Sequence, residues 1–212
     1  TIISPNQSAF IPSRNILDNV MLAHELINGY GRSQISPRAM MKLDLSKAYD
    51  SLQWSSIVRI MSAMGFPKVF VAWVYVCISS PTYSLCYNGL TNGYFRGKQG
   101  VRQGDPISSY LFIIVMEALT SMLSSKYDDR SVLYHPKCQP LHISSLFFAD
   151  DIMIFTKPTD QSIQQILDIL NSFYRATGLK LNSSKSQILI AGMNSVDRLR
   201  IEVLSGLQPM CN

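Results

Sequence analysis

The chain is short of charge, and it lacks any apolar run long enough to cross a bilayer. Charged residues make up 16% of its 212 residues against 47% hydrophobic, which excludes a disordered chain. The longest apolar stretch, Tyr110 to Leu123, is too short for a membrane span and carries Glu117. It therefore reads as a buried helix, with no membrane partner. The start, TIISPNQSAF, lacks the basic-then-apolar pattern of a secretory signal. The chain is thus expected to be intracellular, with its four cysteines reduced, Cys77 and Cys86 as core packing. Asn6-Gln-Ser and Asn182-Ser-Ser match a glycosylation pattern that carries no weight without secretion. No internal repeat and no low-complexity linker divides the chain, and its length suits one domain or one domain and part of another.

What is present is a modest basic excess, net charge +5 and pI about 9.0, compatible with a nucleic-acid partner without requiring one. Apolar spacing predicts a helix from just after Ser13-Arg-Asn to about Gly29, then a turn-rich loop to Arg38. Met40 to Asp44 reads as a short buried strand. The next helix carries Trp54, Ile57, Val58, Met61 and Met64 on one face. Asp50 is expected to cap it, Gln53 takes the capping-box position, and Gly65-Phe-Pro67 stops it. Pro67 opens a second apolar helix to about Ser80. Thr82 to Phe95 reads as hairpin strands broken at Asn88-Gly89 and Asn92-Gly93. A glycine-rich loop, Gly97 to Pro106, precedes the buried helix from about Ser108 to Ser125. An amphipathic helix follows over Asp160 to Thr177, with Ile163, Ile166, Leu167, Leu170, Phe173 and Tyr174 on one face, ended by Gly178. Ser186 to Ala191 reads as a strand and Val196 to Leu204 as a helix. The order suits an α+β split β-α-β sheet with helices on one face.

Within LFFADDIMIF, Leu146 to Phe155, two acids interrupt an apolar run. Ionised carboxylates are costly to bury, and adjacent side chains in mid-strand point to opposite faces. A hairpin bend at Asp150-Asp151 lets both lean toward one open edge. Neighbouring carboxylates repel unless a cation lies between them, and Mg2+ prefers such oxygen ligands together with substrate phosphates. Asp44, at the end of its strand, is the acid that would complete the site. The plainer alternative is an ordinary Asp-Asp turn. His135, Cys138 and His142 lack a fourth partner and a zinc spacing, and read as incidental to a loop. Gln99 to Pro106, QGVRQGDP, offers glycines for close backbone approach ahead of a helix N-terminus. Taken by itself, a plain loop before a proline-started helix explains it better.

Together, KLDLSKAYDSLQW, GVRQGDPISSYLF and LFFADDIMIF resemble motifs A, B and C of reverse transcriptases, above all those of non-LTR, LINE-type retrotransposons, including the elements abundant in plants. NQSAFIPSRNILDNVMLAHELI is similar to the segment before motif A, and GLKLNSSKSQIL to motif D. The resemblance implies a right-hand polymerase palm with part of the fingers. Residues 1–38 would be a fingers remnant, 39–192 the palm with a fingers segment inserted at about 67–98, and 193–212 the approach to primer grip and thumb. It implies Asp44, Asp150 and Asp151 as metal-binding acids, with the Leu45 carbonyl as a further ligand of two Mg2+ ions (Mn2+ the alternative). Tyr49 would be the steric gate against a ribose 2′-hydroxyl. Gln103, Gly104 and Ala149 would flank nucleotide and template, Arg14 would lie near the nucleotide, and Lys185 would donate a proton to leaving pyrophosphate. RNA template, DNA primer and dNTPs would be the partners. The rest of the fingers, the thumb and an endonuclease would belong to the parent polyprotein, acting in the nucleus or in a cytoplasmic ribonucleoprotein. A catalytically inactive remnant limited to nucleic-acid binding, and a two-metal cyclase or nuclease, are the competing readings.

Overall fold

Alternate residues of a strand face opposite sides of its sheet, and the central strand obeys this in sequence. In the computed structural model, which describes residues 2–32 and 34–210, β1 spans Arg38–Leu43. Its Ala39, Met41 and Leu43 enter one core, and Met40 enters a second core on the other side. β1 runs antiparallel to both neighbours, β5 (Asp151–Thr156) and β6 (Gln187–Ala191). β4 (Ser145–Phe148) pairs with β5, and β7 (Gln208–Pro209) lies parallel to β6, giving the order β4-β5-β1-β6-β7.

The larger core is filled by the Met41 side of the sheet and by helices α3 (Trp54–Ala63), α5 (Pro106–Asp128) and α6 (Asp160–Thr177). Ile57, Phe112, Met116, Ile163 and Phe173 are all essentially inaccessible there. At 23 residues α5 outruns the Tyr110–Leu123 stretch judged too short from the sequence, and by length and composition it could cross a membrane; it packs Leu111, Val115, Leu119 and Leu123 into this core. Asp105 caps it by accepting the Ile107 amide, with Pro106 at its start. α6 is capped by Thr159 and ends at Gly178 in the left-handed region, within the expected bounds. α4 (Lys68–Ser79) adds Val71, Val74 and Ile78. The helical layer expected on one face is therefore present. On the other face α1 (Ile16–Ile27) covers the smaller core with Ala23 and Leu26, against Tyr30, Cys138, Phe155 and Leu189.

Several local expectations change. Asp50 lies inside a short helix, α2 (Ala48–Ser51), rather than capping α3, and Gln53 occupies the N-cap position of α3 without a side-chain bond. Asn88-Gly89 does turn the hairpin of β2 (Thr82–Tyr87) and β3 (Leu90–Arg96), both residues having positive φ. Asn92-Gly93 instead lies within β3, where the register shifts and an extra residue is accommodated. Cys77 and Cys86 are exposed, not core residues, because they occupy the outer side of α4 and the hairpin. Tyr174 is also exposed. α7 (Ser195–Ser205) follows β6, capped by Asn194.

His135 and Cys138 belong to the smaller core. The Nδ1 of His135 accepts the Lys137 amide at 3.1 Å, which leaves Nε2 to donate to the Tyr30 hydroxyl, also 3.1 Å away. The His135 ring stacks near Tyr30 and meets Phe155 edge-on. Burial, assisted by the charges of Arg38 and Lys137, pushes its pKa down to about 4. Burial likewise pushes the Cys138 thiol up to about 12. Both side chains are thus neutral packing groups. His142 is exposed and meets Tyr134 edge-on.

Candidate active site

The β1–β5 register fixes the acids. Leu43 stands opposite Ile152, and one further step puts Asp44 opposite Asp151. Residues directly opposed on antiparallel strands have Cβ atoms about 4.5–5.5 Å apart. Both belong to the face of Met40 and Met153, so the two carboxylates share one edge of the sheet. Asp150 is next to them in the β4–β5 turn. That turn is Ala149-Asp150, because Phe148 already pairs with Asp151. The bend therefore falls one residue earlier than the Asp-Asp pair itself. Asp150 and Asp151 are exposed and Asp44 half-buried.

A second ladder orients Asp44. Beyond β1 the chain bridges Leu45 to Leu181, with the Ser46 amide donating to the Lys180 carbonyl and the Asn182 amide to the Asp44 carbonyl, each at 2.8 Å. Leu45 faces the core, so Asp44 and Asn182 face away from it together. The Asn182 side-chain amide donates to Asp44 Oδ2 at 3.0 Å, and the Asp44 amide donates to Ser186 Oγ at 3.0 Å. That ladder does not take up the Leu45 carbonyl, whose role as a ligand rests on the resemblance. Among the described residues no group of three or more His, Cys, Asp or Glu is drawn together tightly enough to hold a metal ion by itself. Two hard carboxylates on one edge and a third in the adjoining turn still suit Mg2+, which keeps waters and substrate phosphates in its shell rather than a full protein cage.

The acid turn is held from behind by the N-terminal segment. Residues 6–8 run beside β4: the Phe147 amide donates to the Asn6 carbonyl, and the Ser8 amide to the Phe147 carbonyl. Gln7, 2% exposed, accepts the Ala149 amide at 3.3 Å and the Ala9 amide at 2.9 Å through Oε1, while its Nε2 has no partner. Ala149 is itself buried at φ +53, a conformation non-glycine residues seldom adopt. Gln7 was not picked out from the sequence, and neither was Asn182 as a partner of Asp44. Both lie in segments similar to those of the family, NQSAFIPSR and GLKLNSSKSQIL, and that similarity is the signal that could have found them.

Arg14 serves this same segment. Its guanidinium donates to the carbonyls of Ile3, Ser4 and Gln7, which ties the segment together. The Glu117 carboxylate anchors the segment by accepting from the Ser4 amide and hydroxyl.

Tyr49, in α2, stacks on Phe112 at 5.1 Å between ring centres, and its carbonyl accepts the Val101 amide at 2.7 Å. The glycine loop thereby packs on α2. A Cβ on Gly100 would lie 2.8 Å from the Asp50 carbonyl oxygen, so only glycine permits that approach. Gln103 and Gly104 are exposed at the loop's tip, ahead of α5. Lys185 is exposed on the turn between the Asn182 segment and β6.

Known proteins resemble this chain in sequence and in fold. The family described as reverse transcriptase (RNA-dependent DNA polymerase) matches residues 1–204. The chain is 33% identical over 181 residues to the Retrovirus-related Pol polyprotein from type-2 retrotransposable element R2DM of Drosophila melanogaster, covering 85% of this chain and 16% of that protein. It is 26% identical to the transposon TX1 uncharacterized 149 kDa protein of Xenopus laevis, covering 93% and 15% respectively. Among solved structures, apo telomerase from Candida Tropicalis, truncated from its C-terminal domain, superposes with a TM-score of 0.60 at 16% identity, covering 89% of this chain and 37% of that one. The chain thus spans about a sixth of the length of the two retroelement proteins. With the ordered acids, the α+β fold and this match over nearly its whole length, the chain belongs to the reverse transcriptase family, as a domain of the non-LTR retrotransposon kind found in R2 and TX1.

Proposed function

We propose that this chain is the catalytic palm of an RNA-directed DNA polymerase that extends a DNA primer on an RNA template during retrotransposition. The observation that carries the reading is the register placing Asp44 opposite Asp151, with Asp150 in the adjoining turn. Phosphoryl transfer asks the protein mainly for positioning and charge neutralisation. Asp44, Asp150 and Asp151, with the Leu45 carbonyl, would hold Mg2+ or Mn2+. The bound ions would neutralise charge on the attacking and leaving oxygens. Asn182 holds the Asp44 carboxylate in one orientation, and Gln7 and Ala149 hold the turn that carries Asp150. Tyr49, fixed by Phe112, presents a ring that would clash with a ribose 2′-hydroxyl. Gln103 and Gly104 would flank the nucleotide and template, and Lys185 would give a proton to the departing pyrophosphate. Template, primer and dNTPs are the partners this reading requires, and the nucleus or a cytoplasmic ribonucleoprotein is where it would act. A kinship with plant elements rests on the motifs alone, since the relatives above come from a fly and a frog.

The test joins this chain to the remaining segments of its parent protein and measures Mg2+-dependent dNTP incorporation on a primed RNA. Asp150→Asn is expected to abolish incorporation, and intact activity in that variant would sink the mechanism. Salt-sensitive RNA binding without incorporation in the wild type would favour the inactive remnant instead.

A further inference from the structure

α4 is apolar on two opposite sides. Its Val71, Val74 and Ile78 enter the larger core. Val69, Ala72, Trp73 and Val76 recur at helical spacing on the other side, where Trp73 is 65% and Val76 58% exposed. A helix apolar all round is normally buried all round, and among the described residues only the inner side of α4 is covered. The hairpin that follows repeats the pattern. Every residue of β2 and β3 is exposed, and the two strands form a sheet of their own. Tyr83, Leu85 and Tyr87 alternate onto one face, with Phe95 opposite Tyr83 and Leu90 opposite Tyr87. A two-stranded hairpin is marginal in water until something packs on its apolar face.

Charge selects the occupant. The 27 residues from Val69 to Phe95 carry no charged side chain. From Ser51 to Gly104 there are five cations, Arg59, Lys68, Arg96, Lys98 and Arg102, and no Asp or Glu. Binding to a phosphate backbone needs cations within the contact. An uncharged centre with aliphatic Val69, Val76, Leu85 and Leu90 therefore suits nucleic acid poorly. The cores of protein interfaces are depleted of charge, enriched in Trp, Tyr and Phe, and bordered by a polar rim. Here Lys68 opens α4, and Arg96 and Lys98 close the hairpin. That border, all of one sign, repels a second copy of itself and attracts carboxylates.

We propose that the outer side of α4 and the apolar face of the hairpin dock a protein segment with apolar contact residues and Asp or Glu at its border, contributed by the parent polypeptide from outside these 212 residues. This chain matches about a sixth of each retroelement relative, so a polypeptide of that kind has the length to contribute it. A tethered segment also stays docked without high affinity of its own. The docking is independent of the chemistry assigned to the acid edge.

The experiment oxidises the completed protein with hydroxyl radicals and reads side-chain modification by mass spectrometry, against the same residues in urea-unfolded protein. Trp73, Val76 and Tyr87 are expected to be protected. Oxidation follows the undocked fraction, so Trp73→Ala should speed the oxidation of Val76 about tenfold, the scale of a lost aromatic anchor. Lys98→Glu should speed it about two- to fivefold, the scale of one ion pair at the rim. Circular dichroism checks the fold of each variant. A benzophenone side chain in place of Val76 provides a second measurement, and should cross-link to one apolar, acid-bordered segment of the same polypeptide. Oxidation of Trp73 and Tyr87 as fast as in urea overturns the proposal, as does unchanged Val76 oxidation in Trp73→Ala. So does protection that ribonuclease removes, that appears only with phosphatidylserine vesicles, or that coincides with cross-links solely between differently labelled copies.

Discussion

Mild acid should weaken this fold through one residue, His135, and the structure sets the size of the effect. His135 is fully buried, its Nδ1 accepts the Lys137 amide, and its pKa is pushed down to about 4 by burial and by the charges of Arg38 and Lys137. In the unfolded chain the imidazole titrates near its ordinary 6.5. Between these values the unfolded state binds the extra proton, so stability is whole above pH 6.5 and falls as the pH drops toward 4. At about 1.36 kcal/mol per pH unit the loss is about 2 kcal/mol at pH 5 and about 3 kcal/mol at full extent. The assay is urea unfolding at pH 7 and pH 5, followed by circular dichroism, on the wild type and on His135→Gln. The wild type should lose about 2 kcal/mol more than the variant over that interval, because the carboxylates they share cancel. Equal losses in the two proteins would refute the assignment of His135 as a buried neutral base. The consequence reaches the site, because His135 meets Phe155 in β5, the strand whose first residue is Asp151.

Asn182→Ala leaves the Asp44 carboxylate without its fixed donor. The Mg2+ concentration for half-maximal incorporation in the completed polymerase should rise on the order of tenfold, as for other outer partners of metal ligands, and an unchanged Mg2+ dependence would count against the role. Gln7→Leu strands the buried Ala149 and Ala9 amides and should cost about 1–3 kcal/mol in urea unfolding; a midpoint equal to that of the wild type would show that the turn does not need this clamp. Gly178→Ala meets both a positive φ and the Ser51 carbonyl and should destabilise by roughly 2 kcal/mol or more, a value that denaturant titration tests directly. Tyr49→Val should admit ribonucleotides about tenfold more readily or better in competition with dNTPs, while unchanged sugar discrimination would remove Tyr49 as the gate.

Much of this protein follows from its sequence, because much of it depends on neighbours in the chain. The bounds of α6 lie in the apolar spacing after Thr159 and in Gly178, and the run that becomes α5 is visible as one apolar segment after Asp105-Pro106. The hairpin carrying Asp150 follows from apolar strands flanking a polar bend. Which of those residues form the bend does not follow, because Ala149 takes a left-handed conformation while its amide bonds to Gln7, 142 residues away.

Tertiary structure decided what depends on register and approach. Cys77 and Cys86 sit in apolar sequence and still face outward, since apolarity says nothing of which side another element will cover. Asp50 has a capping residue's composition, and yet the chain coils into α2 around it. Asp44 comes level with Asp151 because β1 and β5 pair without a slip through Leu43 and Ile152, and it meets Asn182 because a second ladder crosses 138 residues of sequence. Residue types state which chemistry the chain has available. Only strand pairing, where a shift of one residue turns each side chain to the opposite face, sets the carboxylates on a common edge.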